Sequence, residues 1–142
     1  MERLKLDYCQ LNKAIKTLQK GFNIAIRLQQ FEDVDFDLVA EDSIIKRFEY
    51  TYETFWKFLK RYLEDVHKLE DINSPKKVFR ACVKAEVCTP EQGDILIDMS
   101  DDRNETSHSY NIEATRIILV DIPRYCDVMV AILKQFEYLS MP

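Results

Sequence analysis

Apolar residues recur along the first segment of the chain at alternating spacings of four and three, with polar residues between them. This spacing places them on one stripe of an α-helix, because 3.6 residues complete a turn. The pattern predicts a first amphipathic helix that ends near Gln30. Residues 31–37 lack this periodicity and carry four acidic side chains, so they predict an acidic connecting loop. The stripe of the first helix comprises Leu4, Tyr8, Leu11, Ile15, Leu18, Phe22 and Ala25.

Two more stripes of this kind predict two further long helices. One begins near Leu38, and the other follows Asn111, a suitable N-cap, and continues to the C-terminus. Pro123 lies inside the last stripe and is expected to kink or interrupt it, since proline lacks a backbone donor. The second stripe comprises Ile45, Phe48, Tyr52, Phe55, Leu59, Tyr62, Val66 and Leu69; the third comprises Ala114, Ile118, Ile122, Tyr125, Met129, Ile132, Phe136 and Leu139.

Two short helices are predicted between the long ones. Ser74 and Thr89 each precede a proline, and such a pair is typical of an N-cap followed by the first helical residue. Gln92 completes a capping-box pattern with Thr89. We therefore expect helices over 75–86 and 90–101. The polar run 100–109 has no helical apolar pattern and is expected to form a loop after its first residues complete the preceding helix.

Three long and two short helices predict an all-α fold, an up-and-down helical bundle. The composition agrees, since 46% hydrophobic residues argue against disorder, and 2 Gly and 4 Pro are too few for a many-stranded β fold. With 142 residues and neither a repeat nor a linker, the chain is expected to be one domain, 1–142. The four cysteines, which form no C-x-x-C pair, are expected to be buried, reduced thiols: Cys9, Cys82, Cys88 and Cys126.

The formal net charge of −5 argues against a broad, charge-driven nucleic-acid binder, so a nucleic-acid site must be local. No window approaches the stretch of about 18 apolar residues that a membrane span needs, and the N-terminus does not resemble a signal peptide. A cytoplasmic protein without membrane association is expected. No residue pattern indicates a metal site or a cofactor.

The candidate chemistry depends on the two histidines of the chain. His67 lies among charged residues of the second helix and is expected to be a surface side chain. His108 follows Arg103 by five positions within a polar cluster. A histidine exchanges protons near neutral pH, and an arginine can bind phosphate through two hydrogen bonds. These two groups suit metal-free RNA cleavage, which needs a base for the 2′-hydroxyl and a cation for the phosphate.

Other interpretations of these residues stay open. The segment could form side-chain turns in which Arg103 pairs with Asp101 or Asp102. Glu49 and Glu53 lie one helical turn apart, but Lys46 and Lys57 lie within a turn of them, which favours ion pairing over a pair of catalytic carboxylates. Trp56 and its aromatic neighbours could stack on nucleic-acid bases, although their spacing is also typical of core or dimer-interface residues.

The run from Arg103 to Tyr110, with four residues between Arg103 and His108, resembles the R-x4-6-H-x-Y signature of HEPN domains. The similarity covers essentially the whole chain. It includes residues 42–49 of the second helix, the pairs at 52–53 and 56–57, and the Ser-Pro pair at 74–75 that opens the next helix. This layout is similar to the small HEPN family of nucleotidyltransferase substrate-binding proteins.

That resemblance implies a homodimer in which the Arg/His loops of two protomers face one cleft. It also implies a partner, a minimal nucleotidyltransferase encoded nearby, in a toxin–antitoxin pair or in a two-subunit nucleotidyltransferase. As a toxin, the chain would be a metal-independent endoribonuclease acting on RNA. By position, Arg103 and His108 would be catalytic, Asn104 and Ser107 would bind substrate, and Tyr110 would accept an AMP group.

Two alternatives use the same fold. In the first, the chain is a non-catalytic subunit whose cleft holds a nucleotide or another substrate for the nucleotidyltransferase. In the second, it is a structural dimer that serves as an adaptor. The acidic residues around the Arg/His segment weaken the ribonuclease interpretation, because they repel phosphate: Asp98, Asp101, Asp102 and Glu105.

Overall fold

The computed structural model of the protein describes residues 2–28, 34–108 and 112–141. These residues form five α-helices and a C-terminal 3₁₀ helix and contain no strand, which confirms the predicted all-α bundle. The elements are α1 (Glu2–Leu28), α2 (Val34–Val66), α3 (Pro75–Lys84), α4 (Pro90–His108), α5 (Ile112–Leu133) and the 3₁₀ helix (Lys134–Ser140). None of these described helices is long and apolar enough to cross a membrane.

The long helix α2 is the centre of the bundle. It packs along α1 on one side and against α3 and α5 on others, while α4 lies between α3 and α5. The three predicted stripes face this interior except at the end of the second, where Val66 is 48% exposed and Leu69 lies beyond α2; Leu11, Phe55 and Ile122 are completely buried. Aromatic rings fill much of the core; for example, Phe58 meets Phe136 edge to face at 5.1 Å. The stripes were therefore assigned to the correct face from spacing alone.

Both predicted N-caps are confirmed. The Ser74 hydroxyl accepts a hydrogen bond from the Lys77 backbone N–H at 3.4 Å. The Thr89 hydroxyl accepts from the Gln92 N–H at 3.1 Å, and the Gln92 side chain accepts from the Thr89 N–H at 2.9 Å, which completes the capping box. Helix α3 ends at Lys84, two residues earlier than predicted, because Glu86 adopts a left-handed conformation with φ of 61°.

The predicted acidic loop is partly wrong. Helix α2 begins at Val34, so residues 34–37 are helical, while 29–33 lie outside the described residues. Acidic residues are common both in loops and near helix starts, so the acidity of this segment in the sequence did not distinguish the two. The predicted N-cap at Asn111 also lies outside the described residues.

The predicted loop over 100–109 is also wrong as far as the structure describes it. Helix α4 continues to His108, so the polar run forms its last turns. These turns are held by polar contacts to neighbouring helices instead of by an apolar stripe, which is why apolar periodicity did not reveal them. Pro123 does not interrupt α5, which continues to Leu133 with Ile122 and Tyr125 buried on either side of the proline.

The cysteine prediction holds for three residues of four. Cys82, Cys88 and Cys126 are buried and free, as expected. Cys9 is exposed, because it follows Tyr8 of the buried stripe and lies on the outer side of α1. Burial raises the pKa of Cys88 to about 11 and that of Cys126 to about 12, so these thiols are poorly reactive.

Candidate functional site

The last turns of α4 carry the candidate site, and an ion pair fixes Arg103 there. Its Nη1 lies 3.1 Å from Oε2 of Glu49 on α2. The two side chains are 21% and 28% exposed, so the pair is largely shielded from solvent but remains accessible at its edge. Arg103 thus pairs with Glu49 rather than with Asp101 or Asp102, the alternative that the sequence left open. Both of those carboxylates contact other helices.

A buried hydrogen bond lies one turn below this ion pair. The Tyr52 hydroxyl of α2 donates to Oγ of Ser100 on α4 at 3.0 Å. Burial raises the pKa of Tyr52 above its usual value, so the phenol stays protonated and remains a donor. Tyr52 follows Glu49 by three residues and Ser100 precedes Arg103 by three, so the two contacts join α2 and α4 at consecutive turns. The backbone that carries Arg103 is thereby fixed against α2.

Two more carboxylates tie the same turns of α4 to its other neighbours. Asp101 lies 2.6 Å from the Lys76 ammonium of α3. Asp102 accepts a hydrogen bond from the hydroxyl of Tyr125 on α5. Burial raises the pKa of Asp102, and the hydrogen bond from Tyr125 opposes this shift. Two of the acidic residues that the sequence set against phosphate binding, Asp101 and Asp102, thus link α4 to neighbouring helices.

The helical conformation changes how Arg103 and His108 relate to each other. At 3.6 residues per turn, positions five apart lie about 140° apart around the α4 axis, so they do not share one face as an i, i+4 pair does. Asn104 is exposed on the turn that begins at Arg103, and the Thr106 hydroxyl donates to the Arg103 carbonyl at 2.7 Å. The side chains of Ser107 and His108, and all of residue Tyr110, lie outside what the structure describes.

Sequence reasoning missed the role of Glu49. It interpreted this residue as part of a surface charge pattern with Lys46, whereas its partner is Arg103 on another helix. The companion prediction for Glu53 is confirmed, since it pairs with Lys57 at 3.5 Å on the same helix. No local pattern could have found the Glu49 contact, because helical periodicity reports only neighbours on one helix.

The remaining candidates behave as surface or packing residues. His67 is exposed, as predicted, with its ring edge-on to Tyr62 at 5.3 Å. Trp56 is half-buried against the core, and its ring N–H donates to Glu53 at 3.1 Å. Among the residues that the structure describes, no group of three or more His, Cys, Asp or Glu side chains could hold a metal ion.

Comparison with known proteins agrees with the resemblance in the sequence. Residues 6–138 match the family model described as nucleotidyltransferase substrate binding protein like. The chain belongs to this HEPN-type family. The match covers nearly the whole chain, including α4 and its Arg103 to Tyr110 run, and it confirms the family that the residues predicted.

Two solved structures share the fold. A crystal structure from Thermus thermophilus is 35% identical in sequence, with a TM-score of 0.66, over 83% of this chain and 97% of that one. A mutant form of the toxin–antitoxin MntA-HpeT matches with a TM-score of 0.60 at 18% identity, over 90% of this chain and 98% of that one. At 18% identity, the second match shows a shared fold and nothing more. No curated protein matches the chain.

Proposed function

We propose that this chain is the toxin of a HEPN and minimal-nucleotidyltransferase toxin–antitoxin pair, and that it acts as a metal-independent endoribonuclease. Arg103 and His108 are its catalytic residues, and Asn104 and Ser107 bind the substrate. The observation that carries the proposal is the position of the Arg103 guanidinium on the last turns of α4, where Glu49 of α2 holds it. His108 follows Arg103 at the spacing of the family motif. The family match and the shared fold with a toxin–antitoxin protein support it.

The proposed reaction needs no group from outside the protein and the RNA. His108 takes the proton of a 2′-hydroxyl, and the freed oxygen attacks the adjacent phosphorus. The bond from phosphorus to the 5′-oxygen breaks, and that oxygen leaves as a hydroxyl after receiving a proton from His108 or water. Arg103 stabilises the negative charge that develops on the non-bridging oxygens. The products are a 2′,3′-cyclic phosphate and a 5′-hydroxyl end.

The separation of positions 103 and 108 around α4 favours a site built from two protomers. One helix sets these positions on different faces, so two copies of α4 that meet can bring the arginine of one together with the histidine of the other. The outer face of α5 supplies an apolar surface for such a homodimer, with Ile117 68% exposed and Val120 77% exposed. In a dimer with two-fold symmetry, the same surface of each copy would form the interface.

Tyr110 is the proposed point of control by the nucleotidyltransferase. Its hydroxyl oxygen attacks the α-phosphorus of ATP in the partner's active site, pyrophosphate leaves, and AMP stays on the tyrosine. Because Tyr110 lies two residues from His108, the added group brings bulk and negative charge to the catalytic residues. It would exclude RNA by steric and like-charge repulsion, and the partner would thereby act as the antitoxin.

The second candidate function is a substrate-holding subunit of a two-component nucleotidyltransferase. The observation that favours it is the Glu49–Arg103 ion pair, since a carboxylate beside the arginine leaves less positive charge to stabilise the negative charge that develops on the phosphate during cleavage. In this case the cleft binds a nucleotide or another acceptor for the partner enzyme, and His108 binds without catalysing.

A cleavage assay in EDTA separates the two functions. The wild type, Arg103→Ala and His108→Ala are purified without the nucleotidyltransferase and checked by mass for unmodified Tyr110. His67→Ala is the matched control, because His67 is the other histidine and lies exposed at the end of α2. Cleavage by the wild type and the control, lost in both site variants, supports the ribonuclease. An unmodified wild type that leaves RNA intact supports the substrate-holding subunit.

A further inference from the structure

A cation-lined groove runs between α1 and α2, on a different side of α2 from the Glu49–Arg103 pair. Its volume is about 360 Å³. Ala14 and Thr51 form its buried floor, where the Thr51 hydroxyl lies 3.3 Å from the Ala14 carbonyl and joins the two helices. The exposed side chains Lys13, Lys46 and Arg47 line it, and no carboxylate of the described residues does. In a chain of net charge −5, such a site attracts anions locally.

The three cations of this groove take part in none of the ion pairs of the described residues. Other basic side chains of the chain do pair, including Arg61 with Asp7 and Arg116 with Glu41. A solvated lysine on an outer helix face needs no partner, but several cations around one groove raise the local positive potential. The groove therefore favours a bound anion that neutralises them.

Gly21 gives Arg47 its position beside the groove. A Cβ atom at this residue would overlap with Nη1 of Arg47, so the guanidinium lies directly against the α1 backbone. A glycine inside a helix destabilises it by about 1 kcal/mol relative to alanine. The Arg47 guanidinium occupies the space that this glycine leaves open, and an alanine here would displace it.

The groove also has an aromatic edge and a route to Arg103. The Tyr50 side chain is 59% exposed, as a ring that stacks on a base must be. At about 100° per residue, Tyr50 and Lys46 lie between Arg47 and Glu49 around the surface of α2. A strand bound in the groove can therefore cross the exposed face of α2 and reach the Glu49–Arg103 pair within the width of one helix, about 10–12 Å.

We infer that the α1/α2 groove is a second binding site for single-stranded RNA, which holds two phosphates and a stacked base while the neighbouring nucleotides reach Arg103. This inference rests on the proposed function, because it takes RNA to be the substrate. Lys46 and Arg47 bind the phosphates, Tyr50 stacks on the base, and Gly21 positions Arg47. The site explains how an acidic protein retains an RNA strand.

The test measures binding of a 2′-O-methyl RNA strand, which the proposed reaction cannot cut, over a range of salt concentrations. Lys46→Gln combined with Arg47→Gln is expected to weaken binding and to reduce the slope of log Kd against log salt by about 1.4, since each single-strand phosphate contact contributes about 0.7. Tyr50→Ala is expected to weaken binding at least about fivefold, and Tyr50→Phe to restore it. Lys84→Gln, an exposed lysine on α3, is the control for charge alone.

Gly21→Ala isolates the position of Arg47 without removing a charge. It is expected to weaken RNA binding while the melting temperature stays the same or rises, since alanine favours the helix. An unchanged salt slope in the Lys46/Arg47 double variant overturns the inference, as does an equal loss in Lys84→Gln. Loss of nucleotidyltransferase binding with RNA binding unchanged also overturns it and assigns the groove to the protein partner.

The outcome is independent of the proposed catalysis. If the wild type binds RNA through the groove but cuts none, the groove stands and the ribonuclease function fails. If it cuts RNA and the groove variants bind as tightly as the wild type, the groove fails and the ribonuclease function stands.

Discussion

Replacing Glu49 with glutamine tests the contact that organises the candidate site. The pair with Arg103 has a 3.1 Å N–O distance, and its side chains are 21% and 28% exposed. For such partly shielded charges the Coulomb attraction is roughly 5 kcal/mol, but desolvation and side-chain ordering offset most of it. A net contribution of about 1 kcal/mol remains. Glu49→Gln is therefore expected to lower the melting temperature by about 3 °C for a chain of this size.

The same substitution is expected to strengthen phosphate binding at Arg103. A carboxylate that competes for the guanidinium with about 1 kcal/mol weakens an incoming phosphate roughly fivefold. Glu49→Gln should thus bind an uncleavable 2′-O-methyl RNA strand about fivefold more tightly than the wild type at low salt. The assay is an RNA titration followed by fluorescence anisotropy, with the melting temperature measured on the same preparations.

Glu53→Gln is the matched control for this experiment. It removes the same charge from the same helix, but Glu53 pairs with Lys57 and not with Arg103. An equal gain in RNA affinity for both variants would mean that only the overall charge matters. Weaker RNA binding by Glu49→Gln would refute the competition and would show instead that Glu49 holds Arg103 in its binding position.

Three further outcomes are expected. Tyr52→Phe should lower the unfolding free energy by roughly 1 kcal/mol, and the loss should largely vanish in a Ser100→Ala background, as a double-mutant cycle by thermal denaturation will show. Asp102→Asn should lose stability relative to the wild type in acid: the raised pKa lets the folded chain hold a proton that the unfolded chain has lost, so this carboxyl favours folding near about pH 4 and loses that contribution as pH rises, which melting temperatures of both proteins over a pH series will show. A thiol reagent should modify Cys9 rapidly in the folded protein and the buried Cys82, Cys88 and Cys126 only on unfolding; fast labelling of a second thiol would contradict the described core.

Helical spacing was sufficient to predict most of the fold. The stripe through Leu11 and Leu18, and the one through Phe48 and Phe55, face the core as expected, because burial of one face is what selects a 3.6-residue period. The capping residues Ser74 and Thr89 also predicted helix starts correctly, since their side chains satisfy backbone donors within three residues. Both signals are local in sequence.

The errors came from helical turns that polar contacts hold. The end of α4 was predicted as a loop because its contacts to other helices are an ion pair at Arg103 and a hydrogen bond at Asp102, neither of which leaves an apolar period. For the same reason the partner of Arg103 could not be predicted, since Glu49 lies far away in sequence. The motif indicated which residues to consider, and the fold was needed to place Arg103 against α2.

The most direct test of the ribonuclease site is the chemistry of its cut in EDTA. Unmodified wild-type protein is incubated with an RNA strand and with the same strand carrying one 2′-deoxy nucleotide at the cleavage position, and the product ends are identified by mass spectrometry. We expect a 2′,3′-cyclic phosphate and a 5′-hydroxyl from the all-ribose strand, no cut at the deoxy position, and no product with His108→Ala. Cleavage at the deoxy position, or cleavage that persists in His108→Ala, would contradict this expectation.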